Sequence, residues 1–181
     1  MENGVIHTFK NSQKLEIKYS PILNKFYKQC WSIEGKDIVN VTEDRKVDKE
    51  ITIPNRPNNP LTVEEKIRSC DYWNYREKDI LLETISIDYN NTPGWLYTSK
   101  ADCLIYAFVN KFDNKLWIYK FPLQQLRKWF IIEKDKYKNF KTAKNNGYNT
   151  ISVVVPIKDI MDFLKSDAKL EHFATHYEFS Y

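Results

Sequence analysis

Glycine is scarce, at four residues in 181, and that scarcity bears on function first. Loops that cradle the phosphates of ATP or a dinucleotide need several glycines at fixed spacing, so no Gly-rich phosphate loop exists here. Cysteine is sparser still. Cys30, Cys70 and Cys103 are far apart, odd in number and form no CxxC pair, which excludes a zinc site or a disulfide framework and predicts free thiols in a reducing compartment. Seven prolines and no internal period exclude solenoids, collagen-like segments and long flexible linkers. An excess of one charge is missing too: 28 basic against 24 acidic residues leave +4, a mild bias toward anionic partners and no histone-like field. No apolar run approaches a membrane span, the longest lying near ISVVVPI, and MENGVIHTFKNSQ carries no apolar core of signal-peptide length. A cytoplasmic protein without a membrane partner is expected.

What is present is aromatic and apolar weight. With 42% hydrophobic residues, 12 Tyr, 10 Phe and 5 Trp, the chain has enough to bury for autonomous folding, and its length suits one domain over residues 1–181.

Ile22, Phe26 and Cys30 at helical spacing predict a short helix around 21–30. DIVNV (37–41) and VDKEITI (47–53) read as strands, IPNRPNNP as a loop, and LTVEEKIR and KDILLETISI as further strands on either side of a polar aromatic turn. A strand at about 102–109 and LWIYKF flank the turn NKFDNK, after which Pro122 opens an amphipathic helix, LQQLRKWFIIEKD. A lysine-rich segment, the buried strand TISVVVPI and a helix from near Lys158 complete the order. The pattern predicts an α/β domain with a central mixed β-sheet flanked by helices.

Charges inside the apolar run LTVEEKIR call for a reason. In an extended strand Glu64 and Lys66 share one face and Glu65 takes the other, and pairing across the proline-rich loop would bring Asp48 beside them. Two carboxylates converging with an ammonium suit phosphodiester hydrolysis: hard oxygens hold Mg²⁺, the ion polarises the phosphodiester and acidifies a bound water, and the lysine orients that water or stabilises developing charge. The plainer reading of VEEK is an edge strand whose charges block edge-to-edge pairing.

The series Val47-Asp48, then Glu64-Glu65-Lys66, Arg68, DILLE, GWL, SKAD and LIY resembles the PD-(D/E)xK nuclease superfamily, of restriction-endonuclease-like fold, in particular its small phage and mobile-element members. The resemblance spans roughly residues 40–130 and departs from the motif at Val47, which stands where its proline would be. It implies that Asp48 and Glu64 are metal ligands for Mg²⁺ (or Mn²⁺), that Lys66 is the catalytic lysine, that DNA is the partner and that a homodimer cuts both strands. Glu83 is a further candidate, as a ligand, as a base beside Lys66, or as an ordinary strand-edge carboxylate. Lys100 and Asp102 flank the same region, with Asp102 reading more simply as a strand-opening residue. A different class is an anti-defence binding protein on the same scaffold, such as a phage-encoded inhibitor of a host defence nuclease of CRISPR or restriction type.

Three further features carry weaker signals. Lys134, Lys136, Lys138, Lys141 and Lys144, interleaved with Tyr137 and Phe140, read either as a nucleic-acid contact or as a solvated loop. His172 and His176 share a helical spacing but lack a third metal ligand. Trp73, Tyr75, Trp95, Trp117 and Trp129 read mostly as core or interface aromatics.

Overall fold

A computed structural model describes residues 9–41, 46–70, 79–110 and 114–181. Helix α1 (Phe9–Trp31) is followed by strands β1 (Ile38–Asn40), β2 (Lys49–Ile51) and β3 (Leu61–Cys70). Next come β4 (Asp79–Ile87), β5 (Thr92–Pro93), the single-turn helix α2 (Trp95–Thr98), β6 (Cys103–Asn110) and β7 (Lys115–Pro122). Helix α3 (Leu123–Glu133), β8 (Phe140–Lys144), β9 (Asn149–Pro156), α4 (Ile157–Lys165) and β10 (His176–Ser180) close the order. Among the described residues no helix is long and apolar enough to cross a membrane.

The chain is α/β with two sheets. One is mixed, in the order β1-β2-β3-β6-β7-β10, with β3 and β6 parallel and every other pair antiparallel. The expected central mixed sheet is therefore present. The sequence pattern did not separate out the second, antiparallel sheet of order β5-β4-β9-β8. The reason lies in the parallel pair, which needs a long crossover. That crossover carries β4, β5 and α2, and they pack across the sheet face instead of extending it.

Period-two alternation then sorts the core into two clusters. On one side Val63, Ile67, Cys103, Ile105, Ala107, Leu116 and Ile118 meet Tyr19, Leu23, Phe26 and Tyr27 of α1. On the other, Leu104, Tyr106, Phe108, Trp117, Tyr119 and Phe121 meet Ile80 and Leu82 of β4, Val153 and Val155 of β9, and the apolar faces of α3 and α4. The β6 strand is buried along its whole length because it is covered on both faces, the expected state of a strand in a parallel pair.

Several expectations about elements change. Helix α1 begins well before Pro21 and runs through it, since Tyr19 packs in the same stripe as Leu23 and Phe26 while Pro21 itself is exposed. The lysine-rich stretch is not a loop throughout: a 3-10 turn at Lys134–Lys136 leads into β8, an outer strand of the second sheet. His172 lies in a 3-10 turn and His176 opens β10, so they share no helical face. Trp117 is buried, and Trp95 and Trp129 are partly buried against the second cluster, whereas the aromatic segment with Trp73 and Tyr75 lies outside the described residues.

Candidate functional site

Strand β3 lies between β2 and β6, so its charges do not protect an edge. The antiparallel register of β2 with β3, Lys49 opposite Val63, sets Asp48 just before β2 and beside Glu64 and Glu65. Two bonds fix it there: the Asp48 amide donates to the Val63 carbonyl at 2.9 Å, and the Asp48 carboxylate accepts from the Glu65 amide at 2.6 Å. A two-residue slip of β2 would take the aspartate away from the group.

Glu64 and Lys66 point together toward the second sheet, as period two requires. The Lys66 ammonium is 2.5 Å from Glu64 Oε1 and 3.8 Å from Asp48 Oδ2. It also stands over the Trp95 ring, 5.4 Å from its centroid. Glu64 is buried, Lys66 is mostly covered, and Asp48 is exposed, so the cluster opens to solvent on the aspartate side. Burial alone would lower the Lys66 pKa, but the Glu64 and Asp48 carboxylates outweigh it and hold it above the ordinary lysine value. Lys66 is a cation here.

Glu83 belongs to β4 and hence to the other sheet, facing the same region across the interface. Its Oε1 accepts from the Trp95 amide at 3.2 Å. Burial raises its pKa, opposed by the Trp95 hydrogen bond and by Lys66, with Glu64 pushing it further up. The pairing of β4 with β9 shifts register between Glu83 and Ile85, a bulge of the kind that re-aims a side chain. Gly94 makes this approach feasible: a Cβ there would sit 2.4 Å from the Glu83 carbonyl oxygen.

One carboxylate was not legible in the sequence. Glu16, on α1, is electrostatically coupled to Lys66, Asp48 and Glu64, and burial raises its pKa. Nothing in KLEIKYS distinguishes it from any other helical glutamate. The same holds for Trp95, whose place over Lys66 depends on α2 docking against β4.

Glu65 faces the other way, under α1, and explains the third charge of the run. Its carboxylate accepts from Tyr27 Oη at 2.7 Å and Ser20 Oγ at 3.2 Å, and lies 3.8 Å from the buried Lys49 ammonium. Lys49 in turn donates to Asn40 Oδ1 at 2.8 Å. Burial, opposed by Lys49 and the Tyr27 hydroxyl, pushes the Glu65 carboxyl up to about 7. This network ties α1, β1, β2 and β3 together behind the site.

The remaining candidates lie elsewhere. Asp102 accepts from the Thr62 amide and hydroxyl, both at 3.0 Å, joining the starts of β3 and β6, and Lys100 lines a separate cavity at that end of the sheet. Arg68 pairs with Asp79 at 2.5 Å. Of the lysine-rich stretch, Lys134, Lys138, Lys141 and Lys144 are exposed, and Lys136 is ion-paired with Glu133. Tyr137 stacks on Phe130 and donates to Asp159 at 3.0 Å, so it is a core residue and no platform for bases; Phe140 is exposed.

Asp48 and Glu64 offer hard oxygen donors of the type Mg²⁺ uses, and Mg²⁺ commonly takes one or two carboxylates and completes its octahedron with water or phosphate oxygens. The donor chemistry fits. Among the described residues no group of three His, Cys, Asp or Glu side chains is close enough to hold an ion without such help. Set against protein-family models, curated proteins and solved structures, the chain matches none.

Proposed function

We propose that the chain is a metal-dependent nuclease of restriction-endonuclease-like fold that hydrolyses DNA phosphodiester bonds. The carrying observation is that the carboxylates of Asp48, just before β2, and Glu64, on the adjacent β3, both converge on the Lys66 ammonium, at 3.8 and 2.5 Å. Asp48 and Glu64 would hold Mg²⁺ or Mn²⁺, which supplies a Lewis acid for the phosphodiester and a more acidic bound water.

The chain's own residues have separable tasks. Asp48 is set by the β2–β3 register and by the Glu65 amide, so its carboxylate has a fixed direction. Lys66, held positive by its two carboxylates, supplies a charge-assisted donor to the attacking water or to a non-bridging phosphate oxygen. Glu83, linked to Trp95, buttresses the far side of the cleft and holds the ring under Lys66. The exposed Lys141 and Lys144 of β8 and Lys134 and Lys138 before it offer phosphate contacts away from the reacting centre.

The test is cleavage of single-stranded, double-stranded and branched DNA with Mg²⁺ or Mn²⁺, wild type beside Lys66→Ala, Asp48→Ala and Glu64→Gln. Metal-dependent cutting lost in all three supports the nuclease. No cutting by folded wild-type protein on any substrate defeats it.

A second reading is favoured by one observation. With Lys66 already bonded to Glu64 and no trio of ligating side chains among the described residues, the cluster is also self-sufficient as a structural ion pair. The chain would then be a binding protein, such as an inhibitor docking on a host defence nuclease. Inhibition of a purified restriction or CRISPR nuclease, unaffected by Lys66→Ala, would distinguish it.

A further inference from the structure

At one end of the six-stranded sheet, lined by Trp31 and Leu61 of the α1-side cluster and by Leu170 and Phe173 of the other, lies a cavity of about 580 Å³ at the start of β3 and β6 and the end of β7. That volume is within the range of sites for small organic ligands. Its charge is one-sided. Arg56, Lys100, Lys120 and Lys169 line it against a single acid, Asp102, which is already bonded to Thr62.

Lys120 is the informative member. It is half-buried, pointing from β7 into the cavity between two rings, 5.4 Å from the centroids of both Trp31 and Phe173. Among the described residues it has no carboxylate within ion-pair distance, and neither have Arg56, Lys100 and Lys169. The contrast with the other covered lysines is direct: Lys49 has Glu65 and Lys66 has Glu64 and Asp48. A covered ammonium loses hydration, and ring faces replace only part of it. Four cations gathered around one concavity against one carboxylate leave an excess of positive charge, and their repulsion is relieved by an anion.

We propose that this cavity binds a phosphate-bearing ligand of nucleotide size, with Lys120 and Arg56 on the phosphoryl oxygens, Lys100 and Lys169 at the rim, and Phe173, Gln124 and Gln125 beside the nucleoside. Guanidinium and ammonium groups are the side chains that recognise phosphate, one by its fork and one as a point charge. Gln124 and Gln125 offer amide donors and acceptors to a base or sugar edge. Recognition here is by side chains, consistent with a chain too poor in glycine for a backbone cradle. The site is independent of the nuclease reading, since none of Asp48, Glu64, Lys66 and Glu83 lines it.

The ligand's phosphate has two sources, a free nucleotide or the phosphorylated end of a strand, and one experiment separates them. Calorimetric titrations of the wild-type chain in EDTA, which withholds the metal so that nothing is hydrolysed, would use ADP, adenosine, and a tetranucleotide with a 5′-phosphate or a 5′-hydroxyl. Saturable binding of ADP or of the 5′-phosphorylated strand is expected, at least tenfold tighter than adenosine or the 5′-hydroxyl strand, and weakening as salt rises. Whichever of the two binds tighter names the source. Lys120→Met should weaken binding at least tenfold. The exposed double variant Lys100→Gln/Lys169→Gln, which touches no core residue, should weaken it as well, whereas Lys36→Gln, at an exposed lysine outside the cavity, should not. Binding equal for adenosine and ADP, binding insensitive to the cavity variants, or no binding of either phosphorylated probe would overturn the proposal.

Discussion

Glu64 and Lys66, two residues apart on β3, form a 2.5 Å ion pair on the face of the strand that looks toward the second sheet. The pair is flanked by Asp48 and by the Trp95 ring, and Glu64 is 7% exposed at its side chain. A carboxylate so covered depends on its partner.

Removing one member of that pair should cost more than removing both. Lys66→Met leaves Glu64 buried without its counter-charge, a loss of about 3–5 kcal/mol, while Glu64→Gln/Lys66→Met removes both charges and should recover much of it. Urea denaturation of the two single variants and the double variant measures the coupling. Additive losses would mean that the pair is not interacting as described.

Glu65 should make stability fall as pH rises through weak acid. Its folded-state pKa of about 7 lies above the ordinary 4.5, so the folded state holds the proton more tightly than the unfolded chain. Its contribution is therefore fully present below pH 4.5 and is lost as pH rises toward 7, on the order of 3 kcal/mol. Glu65→Gln cannot titrate. Denaturation midpoints taken from pH 4.5 to 8 should slope downward more steeply for wild type than for this variant, and parallel profiles would refute the assignment.

Gly94→Ala should destabilise the β4–α2 junction. The new Cβ would meet the Glu83 carbonyl oxygen at 2.4 Å and the Glu83 Cγ at 2.7 Å, and a backbone atom cannot swing away as a side-chain tip can. A cost of about 1–3 kcal/mol is expected. Since the displaced residue is Glu83, thermal melting should fall together with any cleavage activity, while Gly147→Ala, at an open turn with φ of 85°, should lower stability without touching cleavage.

If β8 contacts DNA phosphates, Lys141→Gln and Lys144→Gln should each flatten the dependence of log affinity on log salt, by about one contact's worth. Filter binding or anisotropy across a salt series reads this directly. Unchanged slopes would return the strand to the status of a solvated edge.

Much of the architecture was legible one element at a time. The alternation in LTVEEKIR placed Glu64 and Lys66 together and Glu65 apart, because period two is a local property of an extended backbone. The proline-rich loop announced the turn between β2 and β3, and with it the approach of Asp48. Buried apolar runs such as CLIYAFV marked strands without needing partners.

What required the tertiary structure was every relation between elements. Glu83 looked like a neighbour in the same sheet, yet the parallel pairing of β3 with β6 sends β4 to another sheet, and only packing brings Glu83 back toward Lys66. Glu16 and Trp95 join the site through helix docking, which leaves no mark in composition. Tyr137 and Phe140 looked equivalent among the lysines, and burial separated them, one into the core and one to solvent. Lys120 carried no signal in LWIYKF, since whether a lysine lacks a counter-charge depends on what the fold brings near it. Residue type and spacing determined the chemistry on offer, because backbone periodicity is local; which groups meet was decided by packing, because contacts between distant segments form only when the chain closes on itself.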